Sequence, residues 1–303
     1  ATAGGGTATA GGAATAGGGM VMTGASEVDL VDAGPPVIID GGFTFTEGPQ
    51  WVPALGSLLF TDIPQNRIWR HTPPSGFAEY RMPSGNANGI ALAPNGDLFI
   101  CEHAGRVSRT QPDGGQSLVA NMFNGGTLNS PNDAVVRSDG TLYFTDPSYG
   151  GTGTVGTRGV YRVAPGGALT RFYATNSGQP NGVTFSPDER ILYVSDSMLS
   201  TVRRFDIAPD GTPDGGQLFV NTSAGGGGGG GDGITTDDNG FLYVTTGAGV
   251  KVFRPDAGYV GRIQIPGGRT PANCAFGDPD RRTLYITAGD ALFKVRLNVT
   301  GPY

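Results

Sequence analysis

The chain has 303 residues, with 20 Lys and Arg against 26 Asp and Glu, a net charge of −6 and a pI near 4.9. No clustered basic face is available to neutralise phosphates, which argues against nucleic acid or an anionic membrane as partner. No run approaches the ~18 apolar residues of a membrane-spanning helix, and no sustained three-and-four apolar spacing supports a helical bundle or coiled coil.

The first nineteen residues, ATAGGGTATAGGAATAGGG, hold eight glycines and no large side chain. Such a segment buries too little apolar surface to offset its ordering entropy and reads as a flexible tether. We take residues 1–25 as tether and 26–303 as a single domain. A small-residue tether behind a removed export signal is common in bacterial envelope proteins, so the expectation is an exported protein: periplasmic, secreted or held at the envelope.

From Glu47 onward six segments share one pattern: a polar residue, alternating apolar residues, a turn, and a second strand ending in a polar residue. They open at Glu47, Asn88, Asn132, Asn181, Asp232 and Asn273. Repeats of roughly 40 to 50 residues built from paired strands are the signature of a β-propeller blade. The predicted fold is therefore all-β, a six-bladed β-propeller of four-stranded blades. Third strands are expected at 66–71, 158–163, 201–206, 250–254 and 291–297. Outer strands are expected at 77–81, 117–120, 169–173, 217–220 and 263–265. The sixth blade runs out of chain before its fourth strand, and Val37 to Asp40 is predicted to fill that place and close the ring. The glycine run Gly225–Gly231 reads as a flexible loop, or more sharply as a mobile flap over the face where Asp232 lies.

The six opening residues occupy equivalent places and should face one another around the central axis. Singly, each reads as a strand cap bonding nearby backbone. As a closed ring with two carboxylates, the set would be costly without a cation. Carboxylate and amide oxygens suit Ca²⁺, whereas Zn²⁺ prefers imidazole or thiolate. His71, in a His-Thr-Pro-Pro turn, reads as a solvated loop residue, which leaves His103 as a nitrogen donor. Asp62, Glu102, Asp146, Asp196 and Thr246 return to the same entrance, mostly to brace loops, with Glu102, His103 and the 147–150 run placed at the pocket wall. Cys101 and Cys274 each sit in an apolar run and read as buried thiols.

Several motifs resemble the gluconolactonase and senescence-marker-protein (regucalcin) family of six-bladed propellers. They are TEGPQW at 46–51, SPNDAVV at 130–136, FTDPSYG at 144–150, QPNGVTFSPD at 179–188 and GDGITTDDNG at 231–240. CEHAGRVSRT at 101–110 is similar to the bacterial gluconolactonase branch. The resemblance implies one divalent cation, Ca²⁺ first with Zn²⁺, Mn²⁺ or Mg²⁺ as alternatives, held by Glu47, Asn181 and Asp232 with Asn132. It also implies Asp232 as general base. Asn132, Asn88, His103 and Tyr149 are expected to contact the substrate. The activity expected is a metal-dependent hydrolase opening a lactone such as gluconolactone, by Lewis-acid activation of the carbonyl and attack of water. The alternatives are a phosphotriesterase of the diisopropyl fluorophosphatase type, which uses a similar ligand set, and a non-catalytic propeller with a structural ion.

Overall fold

The computed structural model describes Ala1, residues 34–74 and residues 76–303; apart from Ala1, the segment read as a tether lies outside the described residues. Six four-stranded antiparallel sheets stand around an axis. The first strands of neighbouring sheets touch one another in a closed circle. Blade one is Thr46–Val52, Ser57–Asp62, Arg67–His71 and Phe77–Arg81, and blades two to five repeat this order from Ala87–Leu92, Ala134–Val136, Pro180–Phe185 and Ile234–Thr236. Blade six takes Pro271–Gly277, Thr283–Ala288 and Ala291–Arg296 from one end of the domain and Val37–Gly41 from the other, so the predicted ring closure is present. Among the described residues no helix is long and apolar enough to cross a membrane.

The alternation of side chains along the second strands explains how blades stick together. In Leu142–Asp146, Leu142 packs toward blade two while Tyr143 packs toward blade four. The same division holds for Leu192 and Tyr193, Leu242 and Tyr243, and Leu284 and Tyr285. Each Leu-Tyr pair thus feeds two interfaces, and the core is six apolar clusters, one between each pair of blades. Each fully buried side chain contributes about 1.5–3 kcal/mol. Cys101 and Cys274 are free and buried in two of these clusters, as expected.

Three expectations are corrected. The outer strand of blade five is Tyr259–Ile263, not 263–265. Arg254 and Gly258 close a tight turn, so pairing resumes at once. His71 is not a solvated turn residue. It ends the strand Arg67–His71 opposite Leu58, buried, with its ring 4.8 Å from that of Phe77. Glu102 turns away from the channel, its carboxylate accepting from Arg81 Nη2 at 2.9 Å, Arg106 Nε at 2.5 Å and Ser108 Oγ at 2.5 Å.

The close approach of the first strands at the axis controls what can follow each opening residue. In four blades it is glycine: Gly48, Gly89, Gly182 and Gly233. A Cβ on Gly182 would lie 2.5 Å from the carbonyl oxygen of Asp232, and one on Gly233 only 2.0 Å from Cγ of Asn273. In blades one, two and four the register with the second strand also shifts here, a bulge that re-aims the opening side chain. Gly182→Ala should therefore destabilise the protein by about 1–3 kcal/mol, the usual cost of overpacking. Gly166→Ala, where nothing lies within 4 Å, should change stability by less than about 0.5 kcal/mol. Urea unfolding of both variants checks this, and equal midpoints would contradict the crowding.

Candidate active site

Hydroxyls and carboxylates at the ends of the second strands hold the mouth of the channel in place. Thr61, Thr145 and Ser195 donate through their hydroxyls to the carbonyls of Asn88, Asn181 and Asp232 in the next blade, at 3.1, 2.6 and 2.6 Å. The carboxylates that follow them accept loop amides. Asp62 takes Thr44 and Phe45, Asp146 takes Asn129, and Asp196 takes Gln179, Met198 and Leu199. Each Thr-Asp or Ser-Asp pair therefore fixes a backbone point of the next blade and the shape of a mouth loop.

On this frame Glu47 and Asp232 come within electrostatic reach of each other. Burial, the Asp232 charge and the more distant Asp133 push Glu47 well above the usual carboxylate range, while Gly48 N–H (3.0 Å) and Asn273 donate to it. Asp232 is raised to about 7 by burial and by Asp133, against a hydrogen bond from Asn181. As a residue Asp232 is half-buried, whereas Glu47 is almost fully enclosed. Asn181 Nδ2 also donates to the hydroxyl of Tyr149 at 3.4 Å, and that hydroxyl meets Ser197 Oγ. Asn88 Nδ2 lies 3.2 Å from Nε2 of His103, leaving Asn88 Oδ1 buried without a partner. Burial lowers His103 to about 4, so its imidazole is neutral at pH 7 and accepts from Asn88. Asn132 joins the ring through its backbone, its carbonyl taking Gly89 N–H at 2.7 Å.

Thus Glu47, Asn181, Asp232 and Tyr149 form one linked group, Asn88 and His103 a pair beside it, and Asn132 a backbone member. Asp133 is the residue that sequence reasoning missed. Its carboxylate is buried behind the ring, accepting from Ala134 N–H (3.0 Å) and Val183 N–H (3.2 Å), with Asn273 also donating; burial raises it to about 7. The signal was present in the repeat. Four blades follow the opening residue with glycine, and Asn132 is followed by an acid. Behind the ring lies a cavity of about 510 Å³, which reaches Asp133 and Asn273 and runs along inner-strand residues such as Ile90, Val135 and Thr235 to Arg281 and Tyr303 at the opposite face.

The donors fit a hard cation. Two carboxylates that repel each other, an orphaned amide oxygen and neighbouring amides make an oxygen-rich set suited to Ca²⁺. Among the described residues no three His, Cys, Asp or Glu side chains gather closely enough to hold an ion by themselves, so the amides are needed.

Residues 45–290 match the family described as the SMP-30/Gluconolactonase/LRE-like region. The chain belongs to this family. Within the SMP-30/gluconolactonase group, the gluconolactonase of Zymomonas mobilis is 31% identical, covering 90% of this chain and 84% of its own length. A solved gluconolactonase from Xanthomonas campestris superposes with a TM-score of 0.76 at 30% identity, covering 91% of this chain and 99% of that one. A regucalcin from Agrobacterium tumefaciens, described as a calcium-binding protein, shares the fold with a TM-score of 0.75 at 22% identity, covering 89% of this chain and 96% of that one. The relatives of this SMP-30/gluconolactonase chain thus include lactone-hydrolysing enzymes.

The raised carboxylates give a pH signature. Asp133 moves from 3.8 to about 7 on folding, so the folded state holds its proton more tightly. Its contribution is fully present below about pH 4 and is lost as pH rises through 7. In chelated protein, the stability of wild type relative to Asp133→Asn should fall across that window, as read from urea midpoints at several pH values. A difference that stays flat or rises would contradict the burial of this carboxylate.

Proposed function

We propose that this chain is a divalent-metal-dependent hydrolase that opens a lactone, of which an aldonolactone such as gluconolactone is the first candidate. The observation that carries the reading is the enclosed meeting of Glu47 and Asp232 with amide groups at the channel mouth. The lactonase relatives support the substrate class. Glu47, Asn181 and Asp232, with Asn132 and the unpartnered oxygen of Asn88, would hold the cation, Ca²⁺ by donor chemistry. When bound, the ion supplies Lewis-acid polarisation of the lactone carbonyl.

The protein residues do the remaining work. Asp232 takes the proton of the attacking water, a role suited to a carboxylate raised to about 7 by burial. A hydrogen bond from Asn181 orients its carboxylate, and the Asp133 charge behind the ring opposes loss of its basicity. Tyr149, exposed at the mouth, and the neutral His103 with Asn88 offer donors and acceptors to ring hydroxyls. Gln179, bonded to Ser148 through both its amide oxygen and nitrogen, steadies the loop that carries Tyr149.

A lactone panel followed by proton release, with chelator and with Ca²⁺, Mn²⁺, Mg²⁺ or Zn²⁺ restored, tests the activity. Asp232→Asn keeps an oxygen of similar size and removes basicity, so turnover at saturating ion should fall by about 10² or more. Asp113→Asn, in an exposed turn on the opposite face, should leave it unchanged. Turnover that survives Asp232→Asn would remove the base assignment. Hydrolysis of phosphotriesters without lactones would replace the substrate class, and no hydrolysis of either would leave a binding module.

A further inference from the structure

Lys251 lies inside the third strand of blade five, Gly249–Phe253, and its side chain is fully buried. Its ammonium meets four backbone carbonyls, those of Thr222, Ala224, Gly226 and Gly228, at 2.7, 2.9, 2.9 and 3.1 Å. Every second residue of the glycine-rich loop therefore turns its carbonyl inward to one cation. Among the described residues no carboxylate is paired with this ammonium. The carbonyl dipoles replace its hydration, as carbonyl rings do for a potassium ion. Without them a buried charge would cost several kcal/mol.

The glycine run is a condition of this cage. Gly225 to Gly228 have φ between 74° and 100°, a left-handed path that other residues rarely follow. A Cβ on Gly227 would lie 2.5 Å from Arg262 Nη1, and one on Gly229 2.5 Å from Ser200 Oγ. Beyond the cage, Gly230 N–H donates to Ser200 Oγ at 2.8 Å. The chain then passes straight into Asp232, whose N–H bonds the carbonyl of Thr245 at 3.0 Å. The run read as a loop or flap is thus tied at both ends, to Lys251 and to Ser200.

We propose that Lys251 is a positioning residue, an internal cation around which residues 222–228 fold so that the loop becomes a fixed wall leading into Asp232. This rests on the reading of Asp232 as the carboxylate of the site. Lys251 itself touches neither the ring nor a substrate.

Two substitutions and one loop variant test it in the full chain. Lys251→Met removes the charge and keeps an unbranched stem, whereas Lys251→Ala opens the cage to added propylammonium. Hydrogen exchange over 222–233, Ca²⁺ titration and lactone turnover are the readouts. In both variants, exchange at 222–231 should speed up at least about tenfold while the rest of blade five stays protected. Ca²⁺ affinity and kcat should fall about tenfold as Asp232 loses its fixed approach. Propylammonium should restore protection and affinity to Lys251→Ala and do nothing for Lys251→Met. Unchanged exchange in both variants overturns the proposal. Lost protection with unchanged Ca²⁺ affinity and kcat also overturns it, since Lys251 would then only stabilise the loop. If the wild type hydrolyses no lactone, the function reading fails while exchange and Ca²⁺ affinity still decide the role of Lys251. Should both Lys251 variants fail to fold, Gly227→Ala keeps the lysine and strains the cage. It must reproduce the local exchange and the Ca²⁺ defect, and normal values for either reject the idea.

Discussion

Crowding at the axis is the constraint on which the rest of this molecule depends. Six first strands meet where there is room for backbone and little else, and residues such as Gly182 and Gly233 press against the main chain or amide of the following blade. That contact brings the opening residues together. It also forces the second strands to supply short hydroxyls, because Thr61, Thr145 and Ser195 must reach across to the neighbouring carbonyl. The blade interfaces farther out are apolar and tolerant by comparison. A volume-conserving exchange there costs less than a methyl group added at the axis.

The site inherits its electrostatics from the same geometry. Glu47 and Asp133 are enclosed because they sit where blades converge, and enclosure favours their neutral forms. The polar groups within reach are main-chain amides and the side chains of Asn181 and Asn273, which soften the penalty without removing the charges. Arginines gather elsewhere, in turns of the opposite face and along outer strands, for example Arg137 with Asp139, Arg281 with Asp238 and Arg296 with Asp280. These exposed pairs contribute little stability.

Much of this was legible in the sequence, because alternation along a strand reports burial directly. The six opening residues and a closing strand from Val37 follow from period and spacing. What was not legible depends on contacts between distant residues. His71 looked like the start of a turn, yet its ring is required between Phe77 and Tyr285. Glu102 occupies the same repeat position as Asp62, but one extra methylene and two nearby arginines draw it away from the mouth. The run Gly225–Gly231 carries the composition of a loose segment, and the lysine whose ammonium meets the carbonyls of residues 222–228 lies more than twenty residues downstream, where no local pattern could connect the two.

Ring closure by the strand Val37–Gly41 has a consequence for synthesis. Thr46 bonds the carbonyl of Ala291, a partner 245 residues away, so the last interface waits for almost the whole domain to leave the ribosome. Until then the nascent array is an open crescent, with the inner strands of blade one facing no neighbour on one side. Its apolar Trp51, Leu58 and Phe60 remain uncovered during this interval, which makes the crescent, more than the finished ring, the form on which chaperones and aggregation compete.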